Sequence, residues 1–296
     1  MKREDSISNL LLLLTAIIWG FAFVAQRVGM EYIGPFTFNA IRFAIGGLSL
    51  FPIIYYFKYR NKSQTSNTTP LTSNNWQKRY GGLILGSVLF IAASMQQVGL
   101  QYTTAGKSGF ITGLYVVFVA ILGLFFRQKT TLFLWIAVFL STAGMYLLSV
   151  ADLKTISIGD LITFFSAILW AVHVLLTGYL SPKMNAIKLA QYQFFVCSIL
   201  SLVVALFIED IIFSKILLAS TPILYGGLLS VGIAYTLQVV VQKTAHPTSA
   251  AIILSLESLF AVIGGWLFLN ETLSLNAMIG CGLMLSGMIV AQIKRN

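Results

Sequence analysis

Long apolar runs alternate along the chain with short breaks rich in charge, Gly, Pro or Asn, and the runs cluster near the ~20 residues that a helix needs to cross a hydrocarbon core about 30 Å thick. They predict helices over 7–25, 35–57, 80–102, 105–126, 131–150, 159–179, 188–208, 218–241, 249–269 and 275–293. Only one break is long. Lys58 to Arg79, rich in Asn, Ser, Thr and Lys, holds too little apolar surface to order itself and is expected to be a loop. The pattern is that of an all-α integral membrane protein of ten transmembrane helices.

Composition agrees, with 57% hydrophobic and 9% charged residues, where an ordinary soluble domain carries about 25% charged residues. The net charge of +10 is best judged by position, because basic residues are retained on the cytoplasmic side of a membrane. Fourteen Lys and Arg fall in the N-terminus, the even-numbered loops and the C-terminus, whereas Arg27, Lys107, Lys154 and Lys215 fall on the other side, and Arg42 lies within a span. Both termini are therefore expected in the cytoplasm, with the chain multi-pass in the inner (plasma) membrane. The apolar run that follows Met1 to Asp5 extends to about Val24 without a convincing small-x-small cleavage site, so it is taken as a span. Cys197 and Cys281 lie in apolar runs and imply no disulfide framework.

The chain repeats itself. Trp19 in TAIIWGF matches Trp170 in FSAILWA at an offset of 151, and the same offset sets Arg42 against Gln193. Further on the offset is 141, pairing Gln97, Gln101 and Thr103 with Gln238, Gln242 and Thr244. Loop 58–79 accounts for the change, since its counterpart near 209–217 is shorter. Five helices per half is an odd number, so the second half enters the membrane from the opposite side. The expected organisation is residues 1–152 and 153–296 as two inverted five-helix repeats. Charge fits the inversion: the turn Arg127, Gln128, Lys129 is basic and expected inside, and its counterpart Asn270, Glu271 is expected outside.

IIWGFAFVAQR with NAIRF, then KSGFITGLYVVFVAILGLFF, and above all LSLESLFAVIGGWLFLNETLSLNAMIGCGLMLSGMIV make the chain resemble, over essentially its whole length, the ten-helix EamA-type transporters of the drug/metabolite transporter superfamily. Many relatives carry a proline in helices four and nine, where this sequence has Ala120 and Ser258. The resemblance implies export of small metabolites, often amino acids or amphipathic compounds, by alternating access.

Glu257 is the candidate of first interest, because a carboxylate near the middle of a span costs roughly 2.5 to 3.5 kcal/mol and must face protein or water. Its repeat partner is Val116, so the fold does not demand an acid there. It is expected either to couple protons or balance a substrate amine, or to be a neutral acid bonded to Ser255, Ser258 or a nearby carbonyl. Arg42 could take a substrate carboxylate bidentately or serve helix packing. His173, one turn from Trp170, could relay protons or join helices as a neutral group. Trp19 and Trp170 sit too deep for an interfacial belt, which leaves a cavity wall or helix packing. Gln96, Gln97, Gln193 and Gln238 place amides inside spans, and Gln97 with Gln238 could face each other across a central pathway. Gly46 with Gly47, Gly264 with Gly265, and Gly282 with Ser286 are expected to permit close helix approach.

The principal rival is a membrane-embedded enzyme acting on lipid or prenyl substrates. Such chemistry wants clustered acids, metal ligands or a nucleophile with its base, and eight of the nine acidic residues lie in tails or near span ends. A channel would show charged rings or a filter loop. No nucleotide-binding glycine loop is visible, so neither ATP nor any other cofactor or metal is expected. The expected partners are a small-molecule substrate, the lipid bilayer and protons as a candidate coupling ion, not nucleic acid.

Overall fold

The computed structural model describes residues 3–62, 75–125, 131–149, 157–271 and 275–292, and among them every regular element is helical. The main helices are α1 (Arg3–Gly29), α2 (Pro35–Ser49, continued after Leu50 by Phe51–Lys62), α3 (Asn75–Leu100), α4 (Ala105–Gly113, continued after Leu114 by Tyr115–Phe125) and α5 (Leu132–Ser149). There follow α6 (Ile158–Leu180), α7 (Ala186–Ile208), α8 (Ser220–Leu224, Tyr225–Tyr235 and Thr236–Val241), α9 (Pro247–Leu254, continued after Leu256 by Glu257–Leu269) and α10 (Leu275–Gln292). Eight of these helices are long and apolar enough to cross a membrane, and α5 and α10 contain shorter apolar stretches. Part of the expected loop is helical: α2 runs on to Lys62, and α3 begins at Asn75, where Gln77 is buried and donates to the Tyr179 hydroxyl (3.2 Å). Residues 63–74, the turn at 127–129, and the boundary between residues 152 and 153 lie outside the described residues.

Matched helices of the two halves run in opposite directions. The C-terminal end of α1 and the start of α6 reach the same pocket through Arg27 and Ser157, as do the start of α4 and the end of α9 through Thr104 and Leu269. The start of α2 likewise meets the end of α7, where Phe36 N–H donates to Glu209. The halves pack into each other, with α3 against α6 and α7, α2 against α7 and α8, α1 against α9, and α5 against α10. Small residues set the close approaches: a Cβ on Gly46 would stand 2.2 Å from Val231 Cγ1, and one on Gly144 would stand 2.5 Å from the Gly280 carbonyl oxygen. Gly282 departs from expectation, since nothing lies within 4 Å of where its Cβ would be.

α4 and α9 are interrupted without proline. The break at Leu114 matches that at Ser255 under the offset of 141, and each is closed by a tighter i to i−3 bond: Val117 N–H to Leu114 C=O (3.0 Å) and Ser258 N–H to Ser255 C=O (3.1 Å). In α8, Tyr225–Tyr235 is a π-helical stretch, whereas the matching part of α3 is regular α-helix. This wider coil presents Ser230 and Tyr235 to the centre of the protein.

Candidate functional site

At the centre, between the halves, lies a narrow cavity of about 30 Å3, which is room for one or two water molecules. Its walls come from α1 (Trp19, Ala22, Phe23, Gln26), α2 (Arg42), α3 (Gln96), α4 (Tyr115), α6 (Trp170, Val174), α8 (Ser230, Tyr235, Gln238) and α9 (Glu257). Glu257 is the first residue beyond the interruption in α9 and is 4% exposed. Neither neighbouring serine spends its proton on it: Ser255 Oγ donates to Ile252 C=O (2.8 Å) and Ser258 Oγ crosses to Gly109 C=O in α4 (2.7 Å). The acid lines the cavity together with Tyr115 and Arg42.

Arg42 is 2% exposed, two turns into α2. Its Nε donates to Asn39 Oδ1 one turn back (2.9 Å), and its guanidinium carbon lies 4.9 Å from the Phe43 ring centre and 5.5 Å from that of Phe38. That orientation occupies Nε and leaves the terminal amino groups for the cavity.

Tyr235 is the hub of the aromatic wall. Its ring lies 4.5 Å from Trp19, stacks on Trp170 at 6.0 Å, and meets Phe43, Phe194 and His173 between 6.0 and 6.3 Å. The two repeat tryptophans are not equivalent. Trp19 Nε1 donates to the Ser230 carbonyl in the π-helical stretch (3.2 Å), while Trp170 Nε1 is buried with no partner. The position matching Ser230 is Leu89, in regular α-helix, where the backbone carbonyls already serve the helix.

Among the residues singled out from sequence, Glu257, Arg42, Trp19, Trp170, Gln96 and Gln238 line this cavity. Gln97 does not: its amide donates to the Gln26 carbonyl (3.4 Å), and the residue that shares the cavity with Gln238 is Gln96, whose Nε2 also donates to Thr112 Oγ1 (3.0 Å). His173 and Gln193 stand behind the wall, fully buried and bonded to each other at 2.8 Å. A ring so placed joins α6 to α7 and meets the cavity only through the rings of Trp170 and Tyr235, 5.7 and 6.3 Å away. Tyr115, Tyr235, Ser230 and Gln26 were missed. Tyr115 and Gln26 each carry a polar group inside an apolar run, a signal that could have found them, but Ser230 enters only because α8 is π-helical.

A second compartment opens at the end of the bundle where α1 and α9 finish and α4 and α6 begin. This vestibule of about 720 Å3 is lined by Arg27, Glu31, Gln101, Lys107, Glu271 and their neighbours.

A helical bundle of two oppositely oriented halves, closed around a small polar and aromatic chamber midway along its spans, is the build of a multi-pass membrane carrier. The EamA-like transporter family model matches residues 6–150 and again 157–292, and the chain belongs to that family. It is 28% identical over 97% of its length to a protein of Archaeoglobus fulgidus described as an uncharacterized transporter, 86% of which is covered. It is 22% identical to the uncharacterized transporter YoaV of Bacillus subtilis, over 93% of this chain and 92% of the relative. A solved crystal structure superposes with a TM-score of 0.74 at 17% identity, covering 97% of each chain, which shows the fold. The chain is a two-repeat membrane transporter and not an enzyme.

Proposed function

We propose that this protein is a secondary transporter that exports small metabolites, such as amino acids or amphipathic compounds, across the inner (plasma) membrane by alternating access between two inverted five-helix halves, 1–152 and 153–296. The supporting observation is the central chamber, where a buried guanidinium and a buried carboxyl, Arg42 and Glu257, share aromatic walls contributed by both halves. A guanidinium and an ionisable carboxyl taken out of water cost free energy that packing alone does not repay, so their retention in one cavity favours a ligand that meets them both. A substrate with an acidic group, an amine and an apolar body complements Arg42, Glu257 and the rings of Trp19, Trp170 and Tyr235. At about 30 Å3 the chamber is too small for such a molecule, which fits a closed state between inward and outward openings.

In this reading the ten helices span the bilayer with both termini cytoplasmic, and Glu257 carries the coupling proton. The test is a panel of amino acids and amphipathic metabolites in proteoliposomes bearing the full chain, with and without a pH gradient. Saturable movement of at least one compound, abolished by Arg42→Ala, is expected. No movement of any compound in either direction, with folded protein, would sink the proposal.

A further inference from the structure

At the vestibule end, the start of α4 is gripped by carboxylates of the opposite half. Asp160 Oδ2 pairs with Lys107 Nζ at 2.6 Å, with both side chains buried, and Asp160 Oδ1 accepts from Thr103 Oγ1 at 2.9 Å. The carboxylate is held for this by its own helix start, where Ser157 N–H donates to Oδ2 (2.7 Å) and Ser157 Oγ accepts from Asp160 N–H. Glu271 reaches the same turn of α4 and accepts from Gly106 N–H (3.4 Å). It gets there because Asn270 ends α9 in the left-handed conformation (φ 55°), which folds Glu271 back so that its own N–H meets the Gly265 carbonyl and its carboxylate lies against Gly265. At the same end Glu209 closes α7 onto α2, accepting from Phe36 N–H (2.8 Å), Thr37 N–H (2.8 Å) and Thr37 Oγ1 (2.7 Å).

We propose that Asp160, Glu209 and Glu271 are positioning residues that hold the vestibule end of the carrier shut, three carboxylates of the second half seated on helix starts of the first. Lys107 and Glu271 line the vestibule itself, and Gln26 of the central chamber is next in sequence to Arg27 of the vestibule, so the gripped turn of α4 lies where the two compartments approach each other. Opening that end requires α4 to part from α6 and α9, which breaks the buried Lys107–Asp160 ion pair and the part-buried contact of Glu271 with Gly106. Toward the opposite end, bonds between the halves from Gln77 to Tyr179 (3.2 Å) and from Gln191 to the Gly47 carbonyl (3.1 Å) join uncharged groups. Closure is thereby weighted toward the vestibule end. The consequence for transport rests on the alternating-access reading, but the gate itself does not depend on which substrate is carried.

The experiment is a distance measurement by pulsed electron resonance on the full chain in lipid nanodiscs, with Cys197 and Cys281 replaced by Ala and spin labels at Tyr102→Cys and Leu269→Cys, which flank the vestibule. Asp160→Asn should raise the long-distance population relative to the short one by roughly tenfold, the shift expected from losing one charge-assisted bond, and Glu271→Gln should raise it by a smaller factor in the same direction. If either single variant fails to fold, the exchange Lys107→Asp with Asp160→Lys carries the test: Lys107→Asp alone should open the vestibule, and the exchange should restore the short distance. Unchanged distances in folded Asp160→Asn and Glu271→Gln, or no restoration in the exchange, overturn the proposal. Absence of transport for every compound in the proteoliposome panel would count against the functional reading alone and leave these distances as they are.

Discussion

Arg42→Lys separates a substrate-binding guanidinium from a structural one. Lysine keeps the positive charge but loses the planar fork, and it cannot reproduce the bond from Nε to Asn39 Oδ1 (2.9 Å) while sending two further donors into the chamber. A hydrogen bond to a charged group is worth about 1.5 to 3 kcal/mol, so removing one arm of a bidentate carboxylate contact should raise the half-saturation concentration roughly 10- to 100-fold. The stacking on Phe43 and Phe38 contributes about 0.5 to 2 kcal/mol and is largely kept by an ammonium in the same place. The assay is counterflow in proteoliposomes, comparing a transported amino acid with its carboxamide, alongside thermal unfolding of each variant. The carboxylate form should lose affinity by that factor and the amide by far less. Equal loss for both forms, accompanied by a lower melting temperature, would refute the binding role and assign Arg42 to packing.

Replacing Glu257 by Gln fixes the position in an uncharged form, so net pH-driven transport should stop while substrate exchange survives; retained pH-driven transport would eliminate the coupling role, and loss of both modes with intact folding would move Glu257 to substrate binding. The two tryptophans should behave differently: Trp19→Phe removes the bond to Ser230 and should destabilise by about 1 kcal/mol, whereas Trp170→Phe removes an indole N–H that has no partner, and should leave the melting temperature unchanged while weakening substrate binding. Gly46→Val should lower stability by about 1 to 3 kcal/mol or prevent assembly, because even its Cβ would fall 2.2 Å from Val231 in α8; a normal melting temperature would contradict the close approach of α2 and α8. Single cysteines at Ser66, which lies outside the described residues, and at the exposed Glu31 should label from the cytoplasm and from outside respectively, and the reverse result would overturn the orientation.

Helix class, the approximate place of the spans and the two-repeat organisation were legible in the sequence, because lipid admits only helices and closed barrels, and continuous apolar runs of about twenty residues fit the helix alone. The same rule makes a polar side chain in a span conspicuous, which is why Glu257, Arg42, Trp19, Trp170, Gln96 and Gln238 could be singled out before their chamber was seen. What a polar residue does there depends on which neighbour reaches it first, and that is a tertiary matter. His173 and Gln193 satisfy each other across α6 and α7, and Gln97 is taken up by the Gln26 carbonyl, so three candidates leave the site although nothing in their local sequence distinguishes them. The breaks at Leu114 and Ser255 were hidden for a related reason: without proline, the change to i−3 bonding leaves no mark in composition. Likewise Tyr235 becomes the hub of the wall, and Trp19 but not Trp170 finds an acceptor, because α8 is π-helical where α3 is not. The contacts at the vestibule end depend on carboxylates more than fifty residues from the groups they hold, a separation that helix periodicity cannot register and that only the packing of one half against the other brings together.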